Sequence, residues 1–122
     1  MTREEFCEGI ASRGSDAGIR ITIENLKRPP GHRPLASMVK RSDWFNELGE
    51  DDQRMLTEVI REAAESTAFG IMAILDGARF IEDTPEKVEF ELYYVAGGQR
   101  VLLNDKRATP LHDLYNVFGQ QR

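Results

Sequence analysis

Leu111-His112-Asp113-Leu114-Tyr115-Asn116 is the densest group of polar side chains in the sequence that could carry chemistry. His112 offers an imidazole as a base or a ligand, and Asp113 a carboxylate beside it. A single histidine near a helix start is more often a capping or surface residue, and that reading is preferred. Asp76 is the second candidate. It ends the most apolar stretch of the chain, STAFGIMAILDGARF at residues 66–80. A carboxylate after a buried run can serve as an acid or a base. The simpler role is punctuation, because Gly77 suits a helix end. The negative pole of a helix disfavours a carboxylate there, so Asp76 is expected to have a partner, with Arg79 the nearest candidate. The third candidate is the outer face of a strand pattern, where Glu89, Glu91 and Tyr93 alternate with apolar residues and Tyr93 pairs with Leu102. That face is either covered by a helix or open as an acidic and aromatic surface for a partner.

Other chemistries lack their parts. Cys7 is the one cysteine, so no internal disulfide can form, and a catalytic thiol would need a histidine that the sequence does not place beside it. A packed or half-exposed structural thiol is expected. His32 and His112 are the only histidines, and no zinc spacing occurs, so neither a metal nor a cofactor is expected. Gly97-Gly98 lies between two strand patterns and reads as a turn rather than a phosphate loop. No serine occupies a G-x-S-x-G elbow.

The elements that must position these residues are legible in outline. Thr2-Arg3-Glu4-Glu5 fits a capping box, after which Phe6 and Ile10 share a helical face and Gly14 is expected to end the helix. Over residues 16–27, Ile19, Ile21 and Ile23 alternate as in a strand, while Ile19, Ile23 and Leu26 fit a helix; the helix is favoured. Residues 29–34, PPGHRP, read as an exposed loop. Leu35, Met38 and Val39 suggest one helical turn, and Ser42 the cap of a further short helix carrying Trp44, Phe45 and Leu48.

Gly49 breaks that helix, and Glu50, Asp51 and Asp52 favour the positive end of the next. A helix over residues 51–76 would be about 39 Å long at 1.5 Å per residue. Ala68 to Leu75 has no polar face, which predicts a central helix buried on every side, with Ile71, Ile74 and Leu75 inaccessible. From Val88 to Val95 the apolar residues alternate, and pairing across Gly97-Gly98 sets Tyr94 opposite Val101 and Leu92 opposite Leu103. One buried face is expected to hold Val88, Phe90, Leu92, Tyr94, Val101 and Leu103. Ala78 to Glu82 is the candidate third strand, joined through residues 83–87. Thr109-Pro110 offers a cap for a last helix with Leu111, Leu114, Tyr115 and Phe118 on its face. The expected class is α+β: a mainly helical N-terminal two-thirds with a long buried central helix, then a small antiparallel meander and a C-terminal helix.

The chain has 122 residues, 40% apolar and 30% charged, which suits one globular domain over 1–122. Its longest wholly apolar run is far below the roughly 20 residues needed to span a bilayer, and the acidic N-terminus is unlike a signal peptide, so no membrane and a cytoplasmic location are expected. The net charge of −5 is uneven: residues 1–41 carry +3, residues 42–92 carry −10 and residues 93–122 carry +2. An acidic middle argues against nucleic acid and suits a basic protein partner.

The segments STAFGIMAILDG, FELYY, RVLLND and LHDLYN, in that order, resemble a group of small uncharacterised bacterial proteins with a buried helix ending in Leu-Asp-Gly, a hairpin and a Leu-His-Asp segment. The resemblance spans roughly residues 44–116. It implies a bacterial origin and no mechanism. Two functions are weighed. The first is a small interaction module, immunity-type, antitoxin or adaptor, that uses Glu89, Glu91 and Tyr93. The second is an enzyme or ligand sensor with one pocket around Asp76, Arg79, Glu91, Tyr93, His112 and Asp113. The first is preferred, because convergent groups must be shown before a catalytic site is argued.

Overall fold

The computed structural model describes residues 1–86 and 88–120. The chain opens with the expected capping box: the Thr2 hydroxyl accepts the Glu5 N–H at 3.1 Å, and the Glu5 carboxylate accepts the Thr2 N–H at 2.9 Å. Helix α1 (Arg3–Gly9) then runs through a π-helical turn (Ile10–Ser15) into α2 (Asp16–Lys27) without a break. Gly14 therefore does not end a helix. Its backbone keeps a negative φ inside the π turn. Cys7, Ala11, Ser15 and Ile19 follow one another at intervals of four and are all buried. In a regular helix such a row drifts around the axis by about 40° per step, and the wider turn offsets that drift, holding the row against the core.

A proline-rich link leads to α3 (Ala36–Glu47), which is one helix rather than a turn followed by a second helix capped by Ser42. Ser42 lies buried in its interior, where its Oγ accepts from Asn46 Nδ2 at 3.3 Å. Asn46 also donates to the Lys27 carbonyl, tying α3 to the end of α2.

Gly49 and three acidic residues open α4 (Glu50–Leu75), which closes on Gly77 at φ 78°. The Gly77 N–H reaches the Ile74 carbonyl and the Ala78 N–H the Ala73 carbonyl, the paired bonds of a Schellman ending. The expectation that residues 68–75 are buried all round is overturned. Met72 is 3% exposed, but Ile71 beside it is 51% exposed, and Ile74 and Leu75 are half-buried. The helix meets α2 and the π turn on one side and α5 on another, and among the described residues no further element packs on the rest.

Two strands follow, β1 (Tyr93–Ala96) and β2 (Gln99–Leu102), antiparallel with Tyr94 opposite Val101 as the pattern predicts. Gly97 and Gly98 both have positive φ, 57° and 77°, as a two-residue primed turn needs. The register continues to the Leu103 N–H, which donates to the Leu92 carbonyl at 2.8 Å. The predicted meander is not formed: residues 78–82 are irregular, and Lys87 of the expected connection lies outside the described residues. The predicted burial of the hairpin face also fails beyond its root. Leu103 is 3% exposed, whereas Val88 is 64% exposed and Phe90 and Val101 also face solvent. The hairpin projects past the helices, and only its root touches them.

Helix α5 (Leu111–Gln120) begins at the end of α4 and packs back along it. Cys7, Ala11, Met72, Leu111 and Tyr115 form the buried centre, where α1, the π turn, α4 and α5 meet. The architecture is α+β. Among the described residues no helix is long and apolar enough to cross a membrane.

Candidate functional site

Asp76 and His112, 36 positions apart, are brought together by the packing of α5 against the end of α4. The Asp76 carboxylate accepts the backbone N–H of Leu111 at 3.0 Å and of His112 at 2.8 Å. Its Oδ2 also lies 2.6 Å from Nδ1 of the His112 ring. Asp76 therefore caps α5, placing its charge at the positive end of that helix. Thr109, expected to cap, does not. Nor is Arg79 the partner of Asp76.

The Asp76 side chain is 7% exposed and that of His112 is 18% exposed. The imidazole stands edge-on to Phe69, with ring centroids 5.4 Å apart, and its Nε2 lies 3.5 Å from Asp113. A carboxylate holding Nδ1 of a histidine is the arrangement that orients a general base. Here the same carboxylate is also bound to two backbone amides.

The one nucleophile at this junction is turned away. Cys7 is fully buried and its Sγ faces the Leu111 carbonyl at 3.5 Å. Burial pushes its thiol up to about 11, with Arg3 offsetting only part of the shift, so it stays protonated at neutral pH. A thiol held in that form is a packing group.

Asn104 is a junction residue that the sequence reading missed. Buried after β2, its Nδ2 donates to the carbonyls of Leu75 at 2.6 Å and Phe90 at 2.8 Å, and its Oδ1 accepts the Leu92 N–H at 2.9 Å. One side chain thus ties the hairpin root to the end of α4. Arg3 adds a second tie, donating from Nε to the Leu103 carbonyl at 2.6 Å and from its guanidinium to the Thr109 carbonyl. Nothing in the RVLLND segment marked its asparagine, because its partners, Leu92, Phe90 and Leu75, lie 12, 14 and 29 residues away along the chain.

On the outer hairpin face the Tyr93 hydroxyl donates to Glu91 at 3.1 Å, and the Arg100 guanidinium lies 4.2 Å from the centre of the Tyr93 ring. The bond to Glu91 and its charge raise the Tyr93 phenol above its ordinary value. Glu89 pairs with Lys106. The face is therefore aromatic with paired charges rather than purely acidic, and no helix covers Glu89 or Glu91. Asp105 is held down to about 2 by its hydrogen bonds to Arg107, a local ion pair at the surface.

Arg79 lines a groove of about 660 Å³ between α4 and α5, which includes none of Asp76, Glu91, Tyr93, His112 or Asp113. The six candidate residues are thus divided among the Asp76–His112 junction, the Arg79 groove and the hairpin. Among the described residues no three metal-binding side chains converge. Compared with known proteins, the chain matches no family model, no curated protein and no solved structure.

Proposed function

We propose that this chain is a protein-interaction module whose partner docks on the C-terminal hairpin. The observation that carries this reading is the uncovered apolar face of a two-stranded sheet. Val101 is exposed on that face opposite Tyr94, and Phe90 and Val88, in the irregular segment that leads into β1, are exposed as well. An isolated pair of strands is marginal in water, and both of its edges carry unpaired backbone groups. In this register Tyr93 and Val95 turn their N–H and C=O groups to the free edge of β1. A partner that covers the apolar face or extends that edge gains both burial and hydrogen bonds. Tyr93, held by Glu91 and Arg100, supplies a rigid aromatic group at the margin.

The excess of −10 over residues 42–92 favours a basic partner. A bacterial, cytoplasmic adaptor or inhibitor belongs to the same proposal. The enzyme alternative required one pocket for six residues that lie in three places. Affinity capture from the source cell tests the reading, using the wild type, Tyr93→Ala and Phe90→Asp/Val101→Asp. A partner lost in both variants, and weakened as salt screens charges beyond about 8 Å, supports it. A partner retained by both variants ends it.

A further inference from the structure

The groove between α4 and α5 carries a cation, Arg79, at its end nearest the C-terminus of α4. Arg79 reaches back from the turn after α4, and the Nη1 end of its guanidinium comes up against that helix at Gly70. A Cβ added at Gly70 would stand 2.7 Å from Arg79 Nη1, so glycine is what admits the guanidinium. Among the described residues that guanidinium makes no hydrogen bond or ion pair. Phe69, Ser66 and Asn116 lie around it in the same groove.

Farther along α4, Glu58 and Glu62 line the groove and make no ion pair among the described residues, while Glu65 is held by Arg61. Among the described residues the groove therefore has an unpaired cation at one end and unpaired carboxylates at the other. Gly70 and Glu62 are eight residues apart, about 12 Å along a helix. An extended peptide covers that distance in about three to four residues.

We infer that this groove binds the C-terminal end of a peptide, with its terminal carboxylate on Arg79 and a basic side chain three residues earlier on Glu62 and Glu58. A guanidinium fork matches a carboxylate through two charge-assisted hydrogen bonds. Free phosphate suits the groove poorly, because three glutamates share it with two arginines. A terminal carboxylate suits it better than an internal acidic side chain. Arg79 sits against Gly70, beyond Phe69, the last α4 residue of the lining, so a carboxylate bound there is the end of the ligand rather than its middle. The inference takes from the proposed function only the idea of a protein partner, and none of the lining residues belongs to the hairpin.

The test titrates the full chain, followed by amide NMR shifts at low salt, with Lys-Ala-Ala-Ala bearing a free carboxylate. Saturable shifts are expected at Ser66, Phe69, Arg79 and Asn116. The C-terminally amidated peptide and Glu-Ala-Ala-Ala should each bind at least about tenfold more weakly. Arg79→Gln should abolish the shifts. Gly70→Ala, which keeps the charge but displaces the guanidinium, should weaken them while leaving the fold intact. Equal binding of the amidated peptide, equal binding by both variants, or no saturable shift at 10 mM peptide, about the weakest binding worth counting, overturns the inference. The hairpin reading is judged separately, by partner capture with the hairpin variants.

Discussion

Asp76, the last residue of the α4 turn, holds His112 twice: by its backbone N–H at 2.8 Å and by its ring Nδ1 at 2.6 Å. With the Leu111 N–H, the carboxylate joins the negative end of one helix to the positive end of the next. Its place at the C-terminus of α4 is unfavourable on that helix's own dipole, and its contact with α5 compensates. Asp76→Ala should lower stability by about 2–4 kcal/mol, the sum of a lost cap and a lost charge-assisted bond. Thr109→Ala should change it by less than about 0.5 kcal/mol. Urea denaturation of both variants measures the contrast, and similar losses would show that the cap is misassigned.

The exposure of Ile71 separates it from its neighbour. Ile71→Asp should give a folded, cooperatively melting protein, whereas Met72→Asp buries an unpaired charge and should not fold. Met72→Ala should cost about 2–4 kcal/mol and Ile71→Ala less than about 1. Circular dichroism melts of the four variants check this ordering.

Asn104 should be the strongest single tie of the hairpin. Removing its side chain leaves the Leu92 N–H and the carbonyls of Leu75 and Phe90 without their partner. Asn104→Ala should cost about 2–4 kcal/mol. In hydrogen exchange, amides of β1 and β2 should lose protection before those of α4. Uniform loss across the chain would contradict a local tie.

The Cys7 thiol gives stability a dependence on alkaline pH. Its folded value is raised from 9.0 to about 11, because burial disfavours the thiolate. The unfolded chain therefore releases this proton first. The contribution is fully present below pH 9 and is lost as pH rises through 11, amounting to about 2–3 kcal/mol. Cys7→Ala should flatten the stability profile between pH 9 and 11. The same slope in both proteins would assign it to other groups, such as the raised Tyr93 phenol.

Local interactions explain what could be read in advance. The Thr2–Glu5 capping box spans four residues, the Gly97-Gly98 turn needs two positive φ angles, and the strand register follows from alternation on either side of that turn. The bounds of α4 follow from Gly49, the acidic first turn and Gly77 in the same way. Gly14 misled because it keeps an ordinary negative φ inside a π turn rather than ending the helix, a path set by the row from Cys7 to Ile19 against the core. Ser42 misled because a cap and a buried mid-helix hydroxyl look alike until the neighbour, Asn46, is seen.

By itself, the sequence determined the last helix, the bounds of α4, and the hairpin with its pairing, since each depends on backbone preferences within a few residues. The tertiary structure alone decided which faces are covered, that Asp76 caps a helix starting 35 residues later, that Asn104 joins three distant backbone groups, and that Arg79 lies on Gly70. An apolar run states that burial is favourable, but not whether a neighbour is there to provide it. Ile71 stays exposed because none of the described elements packs over it.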